Sequence, residues 1–199
     1  VSSSRGMKPV TLVLMGTALS YLFSAFTSTL QYLANENQLE AIVRWTFGNM
    51  SGATWKQDGI MGAILLVTFF VFMRYSWQLN AMASGGDEVS KGLGINASRV
   101  RAVVGLNAVV LTAGIISFTG VIGFVGIVGP HMARMVVGGD HRFLIPFSGL
   151  VGAVLLLSAD TIGRTLFAPI IIPVGIVVAY IGVPLFVHLI ITSKKEYFA

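Results

Sequence analysis

The chain alternates between long apolar runs and short polar segments, and this pattern predicts a bundle of membrane-spanning helices. Several runs approach the roughly 20 apolar residues that a helix needs to cross a bilayer. Their residues do not alternate between polar and apolar, as the strands of a membrane barrel would. The predicted spans are residues 10–33, 59–75, 100–122, 123–137, 143–163 and 170–191. The predicted fold is therefore an all-α, polytopic transmembrane helical bundle of about six spans, forming one domain over residues 1–199.

Two segments between the runs have a different character. Residues 40–55 read EAIVRWTFGNMSGATW, which is too charged and too short to cross. Their two tryptophans flank a turn, and indole rings favour the headgroup level, so this segment predicts a short interfacial or re-entrant helix. Residues 76–99 are polar and predict a connecting loop. Within that loop, residues 87–93 form a predicted short helix that Gly94 ends.

The composition supports a membrane protein and excludes several kinds of site. The chain is 55% hydrophobic and 11% charged, against roughly 25% charged residues in a soluble domain. Its mean hydropathy is +0.83. The lack of cysteine excludes disulfides, thiolate metal ligands and cysteine nucleophiles. The polar residues 1–6 lead directly into an apolar segment without a processing site, so no cleaved signal peptide is expected.

The distribution of basic residues predicts the orientation. The net charge of +5 is compatible with nucleic-acid binding, but so few charges favour loops on the cytoplasmic side of a membrane. With a cytoplasmic N-terminus, only Arg44, Lys56 and Arg164 of the 13 lysines and arginines fall on outer segments. The inner ones are Arg5, Lys8, Arg74, Lys91, Arg99, Arg101, Arg134, Arg142, Lys194 and Lys195. Both termini are therefore predicted to lie in the cytoplasm, at the plasma membrane.

The first predicted span is unusually polar for a lipid-facing helix. Polar side chains within a span tend to face the bundle interior or a wet cavity. We therefore expect this helix to line a translocation pathway, with Ser24, Ser28, Gln31 and Asn35 as the candidate residues. The alternative is that its serines and threonines bond back to their own helix.

A glycine-punctuated run precedes the polar turn near residue 140. Its glycines recur every three residues and would form one small-residue face on a helix, at Gly120, Gly123, Gly126 and Gly129. This face predicts close packing against another helix. The run ends with Pro130 and His131 at the predicted membrane surface. We assign structural roles to Gly123, Gly126, Pro130 and His131.

The histidines and the missing nucleotide motif limit the chemistry of the chain. Paired histidines on neighbouring membrane helices can hold haem. However, His131 follows a proline and His141 lies beside Arg142, so both are predicted to be structural residues at the interface. We predict no metal site and no cofactor. No P-loop lysine motif is present, so ATP hydrolysis would belong to a partner and the chain is not predicted to be an enzyme.

The motifs GFVGIVGPHMAR followed by GDHR, and LLLSADTIGRTLFAP with IPVGIVVAYIGVPLF, resemble those of FecCD-type permeases. These are membrane subunits of ABC importers for iron-siderophores, haem and cobalamin. Further matches, at TLVLMGTALSYLFSAFTS, WTFGNMSGATW and LN…GDEVSKGLGIN, follow the order of the family and cover nearly the whole chain. The family's permeases resemble a ten-helix subunit, and this chain corresponds to the last six helices. It is expected to be a fragment or a truncated product, or to obtain four helices from elsewhere.

The resemblance implies a coupling element in the loop at residues 76–99. In the family, coupling helices seat in a cleft of the cytoplasmic ATPase. The matching residues here are Asp87, Glu88, Val89, Lys91, Gly92, Leu93 and Gly94. Charges at the rim of this contact would fix how the two proteins align, and Val89 and Leu93 would become buried against the ATPase. The alternative is a merely solvated loop.

The resemblance also implies a docking residue on the outer side. Asp160 and Arg164 stand one helical turn apart, and an ion pair between them would relieve the cost of placing charges near a membrane. That structural role accounts for Asp160. In the family, the arginine of this pattern meets a carboxylate of the substrate-binding protein, so Arg164 is the predicted docking residue.

Together these features predict a permease subunit that works with a second copy of itself, a cytoplasmic ATPase and an extracytoplasmic substrate-binding protein. Its substrate would be a metal chelate of the iron-siderophore, haem or cobalamin class, although the motifs do not distinguish among these. The alternative is an ion-coupled secondary transporter or channel. That class normally has a charged relay near the bilayer midplane, whereas the ionisable residues here lie towards the ends of the spans.

Overall fold

The computed structural model describes residues 9–50, 52–166 and 168–193. The chain divides into two compact units, Val1–Val43 and Arg44–Ala199. Within the described ranges all regular secondary structure is α-helical. The helices are α1 (Pro9–Leu33), α2 (Glu36–Thr46), α3 (Trp55–Gly92), α4 (Ala97–Thr119), α5 (Val125–Val137), α6 (His141–Thr165) and α7 (Val174–Ser193). The all-α prediction is confirmed.

Four of these helices are long and apolar enough to cross a membrane. They comprise residues Val13–Leu33, Trp55–Gly86, Ala97–Thr119 and His141–Thr165. Two further apolar helical segments are shorter, Val125–Val137 and Val174–Val187. At 1.5 Å per residue, the 13 residues of α5 extend only about 20 Å. Every predicted span therefore corresponds to an apolar helix, and the crossing of the membrane by α5 and α7 stays a prediction.

The largest difference from the predicted elements is in α3. The second span was expected to cover residues 59–75 and a loop to follow, but α3 begins at Trp55 and stays helical through Gly85. Thr54 and Gln57 form a capping box that starts the helix early. At the other end, Ala81, Met82 and Ala83 are good helix formers, and polarity alone does not end a helix. The connecting segment is therefore shorter than residues 76–99.

The glycine-rich run before the turn is only partly helical, so the prediction of one continuous glycine face is wrong. Gly120 ends α4 with a φ of 72°, and α5 begins at Val125. Gly120 and Gly123 therefore lie in a short irregular segment. Gly129 makes the predicted close packing, because a Cβ there would lie 3.4 Å from the Ser148 carbonyl oxygen and 3.6 Å from Gly152 on α6. No described atom lies within 4 Å of a Cβ at Gly123 or Gly126.

The buried core of the second unit lies between α6 and α7. Ala159, Val174, Val177 and Val178 form one buried cluster. α7 begins four residues after the predicted start, because residues 168–173 contain Pro169 and Pro173 and are not helical. The Gly163 carbonyl oxygen accepts a hydrogen bond of 3.1 Å from the Ile172 N–H. This bond ties the irregular segment to the end of α6.

Candidate functional site

The predicted coupling residues form a short exposed helix at the end of α3. Gly86 interrupts α3 with a φ of 64° and a ψ of −159°, so residues 87–92 form a separate helical turn. We call residues 87–94 the coupling element. Gly94, with a φ of 74°, follows the element's last helical turn, and its N–H donates to the Lys91 carbonyl oxygen. The predicted short helix and its glycine terminator are confirmed.

Exposed and buried positions of the coupling element are sharply separated. Ser90 is fully buried, and its hydroxyl donates to the Gly86 carbonyl oxygen at 2.7 Å. Val89 and Leu93 are 48% and 54% exposed, and Glu88 and Lys91 are exposed beside them. The side chain of Asp87 lies outside the described residues. One buried residue thus anchors the element, while apolar and charged side chains face outward.

Two glycines allow the chain to bend at this point. Gly86 has a positive φ, which L-residues with a Cβ rarely adopt. A Cβ on the neighbouring Gly85 would overlap the side chain of Val89. Gly85 and Gly86 therefore form a kink between the long apolar part of α3 and the coupling element.

The segment after the coupling element corrects a further expectation. Residues 96–98 fall within the predicted loop at residues 76–99, but Asn96 caps α4, and Ala97 and Ser98 lie in its first turn. The Asn96 side chain accepts a hydrogen bond of 3.0 Å from the Arg99 N–H and caps the helix. Ile95, Ala97 and Val100 are buried. The coupling element is therefore held at both ends by helices.

A side-chain hydrogen-bond network joins α3 to the turn between α5 and α6, which sequence reasoning missed. The Asn80 amide donates to Asp140 Oδ1 at 2.7 Å and accepts from the His141 N–H at 2.8 Å. His141 Nδ1 lies 2.7 Å from the same Asn80 oxygen. We call Asn80, Asp140 and His141 the Asn80 clamp. Asn80 belongs to the LN motif quoted above, but its spacing of 60 residues from Asp140 left no local signal of the contact.

Asp140 also caps α6 and stays ionised. Its Oδ1 accepts a hydrogen bond of 2.9 Å from the Arg142 N–H, and Arg142 Nη2 lies 3.2 Å from its Oδ2. These bonds lower the pKa of Asp140 to about 2, chiefly through the Arg142 N–H and then through the Asn80 amide. The carboxylate is therefore charged at any physiological pH.

The predicted ion pair between Asp160 and Arg164 is present. Arg164 Nε donates to Asp160 Oδ2 at 2.7 Å within the last turns of α6. The Arg164 side chain is 42% exposed and Asp160 is 24% exposed. Asp160 also lines a cavity of about 390 Å³ whose other lining residues are Arg44, Asn49, Met50, Pro169, Ile170, Ile171, Ile172, Pro173 and Val174.

Three glycines bring distant backbone segments into contact near this cavity. A Cβ on Gly120 would overlap the Trp45 carbonyl oxygen, and one on Gly175 would overlap the Phe47 carbonyl oxygen. A Cβ on Gly48 would lie 2.7 Å from Ile122 Cγ1. The Asn49 N–H donates to the Thr119 carbonyl oxygen at 2.8 Å across the same place. We call Gly48, Gly120 and Gly175 the glycine junction, and sequence reasoning missed two of its three members.

The predicted pathway residues divide into two groups. Ser24, Ser28 and Gln31 share one face of α1 with Thr17, Ser20 and Thr27, at the spacing of successive helical turns. Several hydroxyls of α1 bond back to their own helix, among them Thr17, Ser20, Thr27 and Thr29. Asn35 has a structural role, because it exchanges hydrogen bonds of 3.0 and 3.1 Å with Gln38 as the capping box of α2.

The remaining structural candidates are consistent with surface positions. Pro130 lies within α5 and is exposed, and His131 is half-buried. His141 contacts the Asn80 amide as part of the clamp. Arg5, Lys8, Lys194 and Lys195 lie outside the described residues, so the structure leaves their predicted places untested.

The long apolar helices are typical of a multi-pass membrane protein. The model of the FecCD transport family matches residues 1–192. The chain therefore belongs to the FecCD transport family.

Relatives from several organisms share about a third to a half of their aligned residues with this chain. MJ0087 of Methanocaldococcus jannaschii, named as an ABC transporter permease protein, is 46% identical over 96% of this chain. The hemin transport permease HmuU of Yersinia pestis is 36% identical over 93%, and the molybdate import permease MolB of Haemophilus influenzae is 36% identical over 92%. The chain covers 55%, 55% and 54% of these relatives, about half their length.

A solved structure has the same fold. It is described as a metal-chelate type ABC transporter in an inward-facing conformation, and it matches with a TM-score of 0.85 and 35% identity. The match covers 93% of this chain and 60% of that one. The helical architecture described above is therefore an architecture of ABC transporter membrane subunits.

Proposed function

We propose that this chain is part of the permease of an ATP-driven importer that moves a metal chelate across the plasma membrane. The observation that carries the proposal is the coupling element, a short exposed helix joined through a glycine kink to a long apolar helix. A subunit that receives mechanical work from a soluble partner needs such a rigid protrusion. Membership of the FecCD family supports the same assignment.

The surface of the coupling element fits a protein partner better than solvent alone. Val89 and Leu93 expose about half of their surface, next to Glu88 and Lys91. An interface combines buried apolar anchors with a charged rim that steers association and fixes register. We assign the partner as the cytoplasmic ATP-binding subunit. ATP hydrolysis then belongs to that subunit and the permease itself is not an enzyme.

Arg164 is the proposed docking residue for the extracytoplasmic substrate-binding protein. Its ion pair with Asp160 occupies Nε, and 42% of its side chain stays exposed. An arginine presents five donors, so a guanidinium paired through one nitrogen can still bind a second carboxylate. Asp160 holds the side chain in place for that contact.

The substrate path is proposed to follow the polar face of α1 between two copies of the permease. Ser24, Ser28 and Gln31 lie on this face, and Asn35 closes it as the cap of α2. The excess of lysine and arginine on alternate segments supports a topology with the coupling element in the cytoplasm. The proposed cargo is of the iron-siderophore, haem or cobalamin class.

Reconstitution of the complete permease with its ATPase and binding protein in lipid vesicles tests this function. Uptake of a ferric siderophore, haem, cobalamin and molybdate is measured with ATP inside the compartment that holds the ATPase. We expect uptake of one metal chelate that requires both ATP and the binding protein. Uptake driven by an ion gradient without ATP would contradict the proposal and support an ion-coupled transporter.

A further inference from the structure

The Asn80 clamp joins the last helical part of α3 before Gly86, residues 76–85, to a second part of the bundle. We call residues 76–85 the stem of the coupling element. Asn80 lies six residues before Gly86, about 9 Å along the helix axis. Its amide contacts Asp140 and His141, at the start of α6, through atoms 2.7 and 2.8 Å apart. A displacement of the coupling element that reaches the stem therefore also reaches the turn between α5 and α6.

The chemistry of the clamp specifies asparagine. A carboxylate only accepts hydrogen bonds and a backbone N–H only donates them. The Asn80 nitrogen must therefore face Asp140, and its oxygen must face the His141 N–H. Aspartate at position 80 would set two carboxylates against each other, and alanine would leave both partners without this contact.

The partners of Asn80 belong to a tightly packed helical hairpin. α5 and α6 approach at backbone distance, since a Cβ on Gly129 would lie 3.4 Å from the Ser148 carbonyl oxygen. The same Asp140 carboxylate that binds Asn80 caps α6 through the Arg142 N–H. A pull on Asp140 therefore acts on the first turn of α6 and, through the packing, on α5.

We propose that Asn80 is a positioning residue for coupling, which locks the α5–α6 hairpin to the stem of the coupling element so that both move together. The inference rests on the proposed function, because it assumes that the coupling element receives work from an ATPase. It adds the route by which that work enters a second helical hairpin. Asn80 itself touches neither the substrate nor, in this account, the ATPase.

The test compares Asn80→Ala with a matched variant in the reconstituted importer. Asn107→Ala removes another interhelical amide bond, in which Asn107 Nδ2 donates to the Thr68 carbonyl oxygen at 2.9 Å between α4 and α3. The readout is substrate transported per ATP hydrolysed, which a loss of folded protein does not change. We expect Asn80→Ala to lower this ratio about tenfold, the effect of losing a hydrogen bond to a charged group, and Asn107→Ala to leave it within about twofold of wild type.

Exchange of the amide and the carboxylate between positions 80 and 140 provides a rescue experiment. Asn80→Asp should lower the ratio further than alanine, and adding Asp140→Asn should restore part of the loss, because a donor again faces an acceptor. Equal ratios in Asn80→Ala, Asn107→Ala and wild type would overturn the proposal. A wild-type importer that neither transports nor hydrolyses ATP would instead contradict the proposed function.

A distance measurement keeps the proposal testable even if the Asn80 variants do not fold. The chain has no cysteine, so Ser84→Cys on the stem and Gly139→Cys in the turn place two spin labels on each copy of it. Dilution of labelled copies with an excess of unlabelled ones restricts the measurement to the pair within one copy. Ser84 is exposed, and no described atom lies within 4 Å of a Cβ at Gly139. We expect the distance between the labels to stay constant through the ATP cycle. A distance that changes between nucleotide states would show independent motion and overturn the proposal.

Discussion

The glycine junction and the Asn80 clamp both hold helix ends that are far apart in the sequence, but they use different interactions. At the junction, backbone segments touch directly because Gly48, Gly120 and Gly175 have no side chains. At the clamp, one amide bridges two helices through hydrogen bonds. Direct backbone contact leaves no room for the segments to shift relative to each other. A hydrogen-bonded bridge passes a displacement from one helix to the other as long as its hydrogen bonds stay formed. The junction therefore fixes its backbone segments, and under the proposed function the clamp would be at the end of the bundle that the ATPase drives.

The largest effect is expected at the junction. Gly120→Ala should destabilise the protein by about 3 kcal/mol or more, because its Cβ overlaps the Trp45 carbonyl oxygen and its φ is 72°. Thermal unfolding in detergent measures the change. Gly105→Ala, at an open position within α4, is the control and should be neutral or more stable by up to about 1 kcal/mol. Equal stability of the two variants would show that the junction is not closely packed.

The next largest effect is expected at the coupling element and should spare the fold. Reversal of both acids, Asp87→Lys with Glu88→Lys, should lower transport at least about tenfold. The partner surface that complements two acids is basic, so it would repel the two lysines. Asp58→Lys, at the exposed opposite end of the same helix, is the control. Uptake and the unfolding temperature are measured together. Unchanged uptake in the double variant would show that Asp87 and Glu88 are merely solvated and take no part in coupling.

A smaller effect is expected at Arg164. Arg164→Glu should weaken binding of the loaded substrate-binding protein about tenfold, since it replaces a cation with an anion at the contact. Asp160→Asn removes the ion pair but keeps the cation, so it should change that affinity much less. Affinity is measured by titration of the binding protein onto the permease in nanodiscs. Equal losses in the two variants would support a purely structural pair.

The smallest effect concerns the pH dependence of the clamp. Because the folded pKa of Asp140, about 2, lies below its ordinary value of 3.8, its stabilisation is present above pH 4 and is lost as pH falls towards 2. The difference in unfolding temperature between wild type and Asp140→Asn should therefore persist from pH 8 to pH 5 and shrink only as pH falls towards 2. Asparagine keeps the helix cap. A difference that disappears near pH 6 would contradict the assigned charge.

The sequence predicted the helices well and their ends less well. Long apolar runs identified every apolar helix among the described residues, since runs of about 20 apolar residues occur mainly in membrane-spanning helices. The end of α3 was misplaced because residues 76–85, SWQLNAMASG, contain more polar side chains than the preceding span but are still helical. Their polarity indicates that they leave the apolar layer and carries little information on whether the backbone continues as a helix.

Whether a candidate residue could be predicted depends on how close its partners are in the sequence. The short helix within residues 87–93 and the Asp160–Arg164 ion pair were predictable because their members are neighbours in the sequence. Asn80 and its partners are about 60 residues apart, and the glycine junction joins three segments, so no local pattern marks either. Gly120 was noted for its spacing, but its positive φ and its contact with Trp45 depend on tertiary structure.

Labelling of a single cysteine at Lys91 tests the central claim most directly, namely that the coupling element meets the ATPase inside the cell. Lys91 is exposed in the helical turn after Gly86, and the chain has no other cysteine. A membrane-impermeant maleimide is applied to right-side-out and inside-out vesicles, with and without the bound ATPase. We expect labelling only in inside-out vesicles and protection when the ATPase is bound. Labelling from the outer face would contradict the account.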